Sequence, residues 1–303
     1  MKPKLNHLPR DKQKQIAFVV ETIQAGFAHA TARRSMPRLR GAKLLKIILF
    51  GSYARGGWVD DAKGRYFSDF DILCVVDREE VADWDEFWWQ TDRNLLEAES
   101  EGRELRTPYS LIVHSLDDVN EQLRLGRYFF IDIVRDGIVL YEEVGHPFDA
   151  PQPLTSEQAL NETQTYFDEW SVTARAFLQA ALDVKARGNL KIGAFQLHQA
   201  AEQAYHCLLL VRTLYSPRTH RLSSLRGMTE DTEPRLREVW PNTGKFERRC
   251  FALLNDAYVK ARYSPHYRIS IEEFDWLVER ITMLIEIVEQ ASHERLAVLA
   301  AAA

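Results

Sequence analysis

Residues 46–77 constrain the fold more strongly than any other part of this sequence. The apolar run 47–50 is followed directly by Gly51 and Ser52, and after a polar insert the tetrapeptide 68–71 (SDFD) opens a second apolar run. Short apolar runs that are partly β-branched and bounded by turn residues are typical of buried strands. We therefore predict two neighbouring strands of one sheet, with polar side chains after the first strand and at the start of the second.

Gly51 and Ser52 suit a phosphate-binding turn. Glycine has no Cβ, so backbone N–H groups can approach a phosphate closely. The serine hydroxyl adds a donor at a predicted strand-to-helix turn, where backbone N–H groups favour anions. Arg55 follows in the same turn and can either pair with a phosphate or face solvent. With Ser68, which precedes the acidic residues, these are the candidate nucleotide-binding residues.

Asp69 and Asp71 are the candidate catalytic and metal-binding residues. Because they are two positions apart, both carboxylates of an extended strand face the same side, while Phe70 faces the other. Carboxylate oxygens are ligands that Mg²⁺ prefers, and Mn²⁺ accepts the same donors. A phosphate-binding turn followed by paired carboxylates is what transfer of a nucleotide to an acceptor requires.

The order of these residues resembles the minimal nucleotidyltransferases of the DNA polymerase β-like superfamily, which carry G-S followed by D-x-D. The matching segments are 51–56 (GSYARG) and 68–73 (SDFDIL). The resemblance implies an α/β domain with a small mixed sheet, a nucleoside triphosphate substrate with ATP favoured, a divalent metal, and transfer of a nucleoside monophosphate with release of pyrophosphate.

Two features depart from the family pattern. The insert 57–67 (GWVDDAKGRYF) is longer than the connection in minimal members, and it can form either a flap over the site or an exposed hairpin tip. Active members usually place a third carboxylate on a neighbouring strand, where it completes the metal site and can accept a proton. The strand predicted at 109–114 has no acidic residue.

The sequence pattern of the C-terminal half predicts helices. The segment 146–154 is rich in proline, and helical patterns follow at about 156–187, 191–214, 245–262 and 270–298. We predict a nucleotidyltransferase domain at 1–145, a linker at 146–154, and an all-α bundle at 155–303 with a frayed alanine-rich end.

The bundle resembles HEPN domains through the run 195–206 (FQLHQAAEQAYH) and the residues that follow it. HEPN ribonucleases carry an arginine and a histidine separated by four to six residues. The nearest match is Arg262 and His266, with only three residues between them, one of which is proline. In related paired systems the nucleotidyltransferase attaches AMP to a tyrosine beside this motif, which implies Tyr263 and Tyr267 as candidate acceptors.

Two further patterns in the bundle have a structural and a functional interpretation. His198, Glu202 and His206 lie on one helix face, and buried polar contacts are favoured there over a metal site. The segment 258–268 combines basic residues with tyrosines, which can bind a nucleotide or single-stranded RNA, although a solvated helix end is the favoured interpretation.

Together these observations predict a fusion of a nucleotidyltransferase domain with a HEPN domain that transfers a nucleotide to a protein or RNA acceptor, in a prokaryotic toxin-antitoxin-like or defence context. The alternatives are a non-catalytic nucleotide-binding regulator and a HEPN ribonuclease controlled by the fused domain. The net charge of −5 argues against a global electrostatic grip on nucleic acid. With no signal peptide or run long enough to span a membrane, we expect a cytoplasmic protein that has no membrane partner and dimerises through its helical domain.

Overall fold

The computed structural model describes residues 5–32, 39–61, 66–241 and 244–303. The chain divides into two compact units, of which the first ends at Pro153 and the second begins at Leu154. We call them the N-terminal unit and the helical unit.

The N-terminal unit is an α/β structure. Its elements are α1 (Arg10–Thr31), β1 (Leu44–Phe50), α2 (Gly51–Arg55), β2 (Asp60–Asp61), β3 (Tyr66–Phe67), β4 (Phe70–Val76), α3 (Trp89–Glu101), β5 (Tyr109–Ser115), α4 (Leu116–Arg124), α5 (Tyr128–Asp136) and β6 (Ile138–Glu142). Four strands form one sheet in the order β5-β4-β1-β6. β1 runs antiparallel to β4 and β6, whereas β4 and β5 are parallel, so the predicted small mixed sheet is confirmed.

Helices cover both faces of this sheet. On one face, Ile16, Val19 and Ile23 of α1 pack in a common core with alternate residues of β1 and β4. On the other face, Phe129 of α5 meets the ring of Phe50 edge to face. The sheet is therefore buried on both sides, which explains why β1 and β4 are apolar along nearly their whole length.

Two element boundaries in this unit have a local cause. β4 begins at Phe70, which pairs with Tyr109 of β5. α4 and α5 are separate helices, and Gly126 in the left-handed conformation (φ 69°) lies between them. A left-handed glycine ends a helix readily because it lacks the Cβ that makes this conformation costly.

The helical unit confirms the predicted all-α architecture. Its helices are α6 (Ser156–Ala186), α7 (Leu190–Thr213), α8 (Leu222–Thr232), α9 (Lys245–Tyr263) and α10 (Ile271–Ala302). α7 packs against all four others and is therefore the centre of the bundle. At its start, Gly193 lies so close to α10 that a Cβ there would be 2.7 Å from the ring of Phe274. The sequence pattern did not predict α8, a short helix that ends just before Pro234.

Long α6 and α10 each begin with a reciprocal cap. The side chains of Thr155 and Ser270 accept hydrogen bonds from backbone N–H groups three residues later, and Gln158 and Glu273 bond back to the capping residues. These caps satisfy donors that would otherwise lack partners. No helix within the described parts of the chain is both long and apolar enough to cross a membrane.

Candidate functional site

The two halves of the sequence motif meet at one edge of the sheet. β1 ends at Phe50, which lies opposite Asp71 near the start of β4. Gly51 follows with φ of 69°, and a Cβ on this residue would lie 2.0 Å from Oδ2 of Asp71 and 2.9 Å from its Cγ. Such distances are impossible for real atoms, so only glycine allows this carboxylate to lie against the backbone.

The turn after β1 is the five-residue helix α2. Ser52 is buried, Tyr53 and Ala54 pack into the core, and Arg55 is exposed. The helix ends at Gly56, which has φ of 88° and whose N–H donates to the carbonyl of Ser52 at 2.9 Å. The apolar side of α2 thus fixes the turn in place, while its arginine faces solvent.

Asp69 and Asp71 occupy different environments. Asp69 lies in the connection before β4 and is partly exposed, whereas Asp71 is within the strand and 5% exposed. Between them, Phe70 points into the core, where its ring lies 4.6 Å from that of Tyr53. The prediction that both carboxylates stand on a strand is therefore wrong for Asp69, because β4 begins one residue later.

Ser68 is buried rather than open to solvent. Its side chain is 2% exposed. Its backbone N–H donates to the carbonyl of Val59 at 2.9 Å, and its hydroxyl accepts from the Val59 N–H at 2.9 Å. This double link holds the connection that carries Asp69. The phosphate contact expected for Ser68 from the sequence stays a prediction.

The start of the insert packs on the N-terminal unit. The ring of Trp58 stacks on Tyr53 with centroids 5.4 Å apart, and Asp60 forms an ion pair with Lys12 at 3.3 Å. β2 and β3 then form a two-stranded ribbon. Lys63 of the insert lies outside the described residues, and the flap stays a prediction.

No acidic residue faces Asp71 from β5. The parallel register places Ser110 beside Asp71, and the whole strand Tyr109–Ser115 lacks Asp and Glu. Asp118, which follows this strand in the sequence, lies 2.5 Å from Nδ1 of His114, near the opposite end of β5. The register therefore bears out the sequence observation that this strand supplies no carboxylate.

Asp132 on α5 is a carboxylate near the turn that sequence reasoning missed. Burial raises its pKa, and the positive charges of Arg135 and Arg55 oppose that shift. An ion pair of 2.8 Å joins Asp132 to Arg135. α5 begins nearly 60 positions after Asp71, so the sequence motif could not identify Asp132. Only the packing of α5 against α2 shows that this carboxylate lies near the turn.

In the helical unit, Arg262 and His266 do not share a helix face. Arg262 lies in the last turn of α9, with its guanidinium over the rings of Tyr258 at 4.2 Å and Phe195 at 5.2 Å. α9 ends at Tyr263, so His266 lies in the following turn, where it is exposed. Pro265 between them cannot continue the helix, which is the physical reason for the separation.

The two candidate tyrosines differ in accessibility. Tyr263 is 74% exposed, whereas Tyr267 is 5% exposed. The Tyr267 hydroxyl donates to the carbonyl of Leu253 at 3.0 Å, and burial raises the pKa of this phenol. Tyr267 is thus a packing residue, and Tyr263 is the accessible phenol of the pair.

The polar residues along α7 form a hydrogen-bonded cluster that includes a histidine from outside the helix. Glu202 is 5% exposed, and its Oε1 lies 3.0 Å from Nδ1 of His220, in the connection between α7 and α8. Burial lowers the pKa of both His198 and His206 to about 4, whereas burial raises the pKa of Glu202 and the hydrogen bond from His220 opposes that rise. Among the described residues, no group of three or more His, Cys, Asp or Glu side chains is arranged to hold a metal ion.

Comparison with protein-family models divides the chain in the same order. A model described as a nucleotidyltransferase domain matches residues 31–164, and a model described as a HEPN domain matches residues 167–291. No curated protein matches the chain significantly.

Proposed function

The chain belongs to the proteins that join a nucleotidyltransferase domain to a HEPN domain, and we propose that it binds a metal-bound nucleoside triphosphate, with ATP favoured, at the edge formed by Gly51, Asp69 and Asp71. It transfers the nucleoside monophosphate to a protein or RNA acceptor and releases pyrophosphate. The observation that carries the proposal is the close packing of the Asp71 carboxylate against the Gly51 backbone, which joins the two motif halves into one site.

The donor set fits Mg²⁺ or Mn²⁺. Mg²⁺ in phosphoryl-transfer sites is bound through one or two carboxylates, with substrate phosphates and water as the other ligands. Asp69 and Asp71 supply two such carboxylates at the same sheet edge. When bound, the metal neutralises negative charge on the phosphates and on the departing pyrophosphate.

The surrounding residues serve binding and orientation. Gly51 leaves open the space that a Cβ would fill, so the Asp71 carboxylate can approach the turn. Arg55 is an exposed cation at the end of α2, where it can pair with the terminal phosphates of the substrate. Ser68 holds the Asp69 connection through its two bonds to Val59.

The proposal is tested by measuring binding and transfer with each of the four nucleoside triphosphates. Protein is incubated with α-labelled triphosphate and Mg²⁺, with and without total RNA, and label in protein or RNA is followed together with pyrophosphate release. We expect transfer to require the metal and to fall by about 100-fold or more in the variant D69N/D71N. If this double variant binds and transfers nucleotide as the parent does, the metal assignment is wrong.

One observation favours a second candidate, the non-catalytic nucleotide-binding regulator. Ser110 lies where the neighbouring strand of active members usually has an acid, so a hydroxyl acceptor would find no carboxylate on β5 to accept its proton. Metal-dependent nucleotide binding that Asp71→Asn abolishes, without pyrophosphate release for any triphosphate, would establish this alternative.

A further inference from the structure

His220 combines an exposed side chain with a buried anionic partner. Its side chain is 56% exposed, whereas that of Glu202, which contacts it, is 5% exposed. We refer to His198, Glu202, His220, Tyr258 and Arg262 as the His220 site. These residues come from α7, from the connection after it and from α9, so the tertiary structure assembles them.

The imidazole of His220 is held on several sides. Nδ1 lies 3.0 Å from Oε1 of Glu202. One helical turn earlier on α7, Nε2 of His198 lies within hydrogen-bond distance, 3.1 Å, of the His220 carbonyl. The ring of Tyr258 stacks on the imidazole with centroids 4.2 Å apart and an interplanar angle of 17°. The backbone carbonyl of His220, the Nδ1 edge of its imidazole and one face of the ring therefore have partners before any substrate binds.

This arrangement sets the tautomer of His220. A carboxylate can only accept hydrogen bonds, so in the neutral imidazole the proton lies on Nδ1 and the unshared electron pair on Nε2. Gln199 donates a second hydrogen bond to the same carboxylate group, at Oε2, at 3.0 Å. An imidazole oriented in this way by a carboxylate is a nucleophile whose cationic product is stabilised.

A cation contacts the tyrosine ring that stacks on the imidazole. The guanidinium of Arg262 lies 4.2 Å from the centre of the Tyr258 ring, the same ring that stacks on His220. Guanidinium groups bind phosphate oxygens through paired, charge-assisted hydrogen bonds. The site therefore combines a phosphate-binding cation and a histidine imidazole that contact the same tyrosine ring.

The transferase site itself indicates what kind of acceptor it suits. A hydroxyl acceptor must lose a proton as it attacks, yet β5 places Ser110 rather than a carboxylate next to Asp71. A neutral imidazole attacks with an existing electron pair and needs no base. Resting on the proposed nucleotidyl transfer, we propose that Nε2 of His220 is the acceptor of the nucleoside monophosphate.

The step balances in atoms and charge. The Nε2 electron pair forms a bond to the α-phosphorus, the bond from that phosphorus to the bridging oxygen breaks, and the electron pair leaves with pyrophosphate. The imidazole becomes an imidazolium that keeps its proton on Nδ1, opposite the Glu202 carboxylate. The product is a phosphoramidate, which acid hydrolyses and base leaves intact.

The first test maps the label after incubation with α-labelled triphosphate and Mg²⁺. We expect one nucleotide on the peptide that contains His220, lost in mild acid, absent in H220A and in D69N/D71N, and retained in H293A, which removes another exposed histidine of the helical unit. Acid-stable label on Tyr263, or label on RNA alone, overturns the inference and leaves nucleotidyl transfer standing. Absence of metal-dependent transfer to any acceptor overturns both.

The second test needs neither metal nor the transferase site. In EDTA, potassium phosphoramidate phosphorylates accessible histidines, and mass mapping ranks their rates. We expect His220 to react fastest and E202Q to slow that reaction while the rate at His293 is unchanged. Equal rates at His220 and His293 in the parent protein would contradict the claim that Glu202 activates His220.

Discussion

The carboxylate of Asp71 lies in the space that a side chain on residue 51 would need, with Oδ2 2.0 Å from the position of a Cβ on Gly51. Two constraints thus coincide at this glycine. Its positive φ disfavours other residues, and the close carboxylate excludes them sterically. Gly51 of the first motif half and Asp71 of the second half therefore pack as one unit.

Gly51→Ala should therefore lower the free energy of unfolding by more than backbone strain alone would. We expect a loss of about 1–2 kcal/mol from the left-handed conformation and a further 1–3 kcal/mol from displacing Asp71, together with loss of metal-dependent nucleotide binding. Gly41→Ala is the matched control, because Gly41 has φ of 68° but a Cβ there meets nothing within 4 Å. Urea unfolding and calorimetric titration with ATP measure both effects, and equal results for the two variants would refute the steric argument.

Ser68→Ala distinguishes positioning from phosphate binding. Removing the hydroxyl deprives the Val59 N–H of its partner, so we expect the free energy of unfolding to fall by about 1–2 kcal/mol. The Kd for ATP should change little, because the hydrogen bond that is lost joins Ser68 to Val59. A variant with parental stability and much weaker ATP binding would instead support the phosphate contact expected from the sequence.

Tyr267→Phe should destabilise the helical unit, whereas Tyr263→Phe should not. The Tyr267 hydroxyl bonds to the Leu253 carbonyl at 3.0 Å, and its loss should cost about 1 kcal/mol. Tyr263 is 74% exposed, so its hydroxyl should contribute less than about 0.5 kcal/mol. Thermal unfolding of the two variants tests the difference, and equal melting temperatures would argue against the burial of Tyr267.

The stability of the helical unit should fall as the pH drops from about 6.5 to 4. Burial lowers the pKa of His198 and His206 to about 4, below the ordinary value near 6.5, so the unfolded chain binds more protons in this interval. Each imidazole contributes stability that is complete above pH 6.5 and falls by at most about 3 kcal/mol toward pH 4. Glu202 opposes this trend because burial raises its pKa, so the folded state holds its proton more tightly.

Urea unfolding of the parent and of H206Q at pH 7 and pH 4.5 measures this dependence. The parent should lose more stability between the two pH values than the variant, which lacks one titrating imidazole. A parent protein whose stability does not change with pH would show that these imidazoles are protonated as readily in the folded state as in the unfolded one.

Local sequence patterns predicted most of the secondary structure. The strands at Gly51 and Asp71 were identifiable because a sheet buried on both faces requires continuous apolar runs. The long helices of the second unit were identifiable from their periodicity and few breaking residues. The short helix α8 was not predicted, because the stability of a short helix depends more on packing than on propensity.

The sequence by itself determined the two units, the order of the motif residues and the absence of an acid on β5, since these follow from periodicity and residue type. Only the tertiary structure placed Asp71 against Gly51, buried Ser68 and Tyr267, and brought His220 to Glu202 and Tyr258. Sequence spacing describes neighbours along one helix or strand. The His220 site instead joins residues from α7, the following connection and α9, and their proximity depends on how the helices pack.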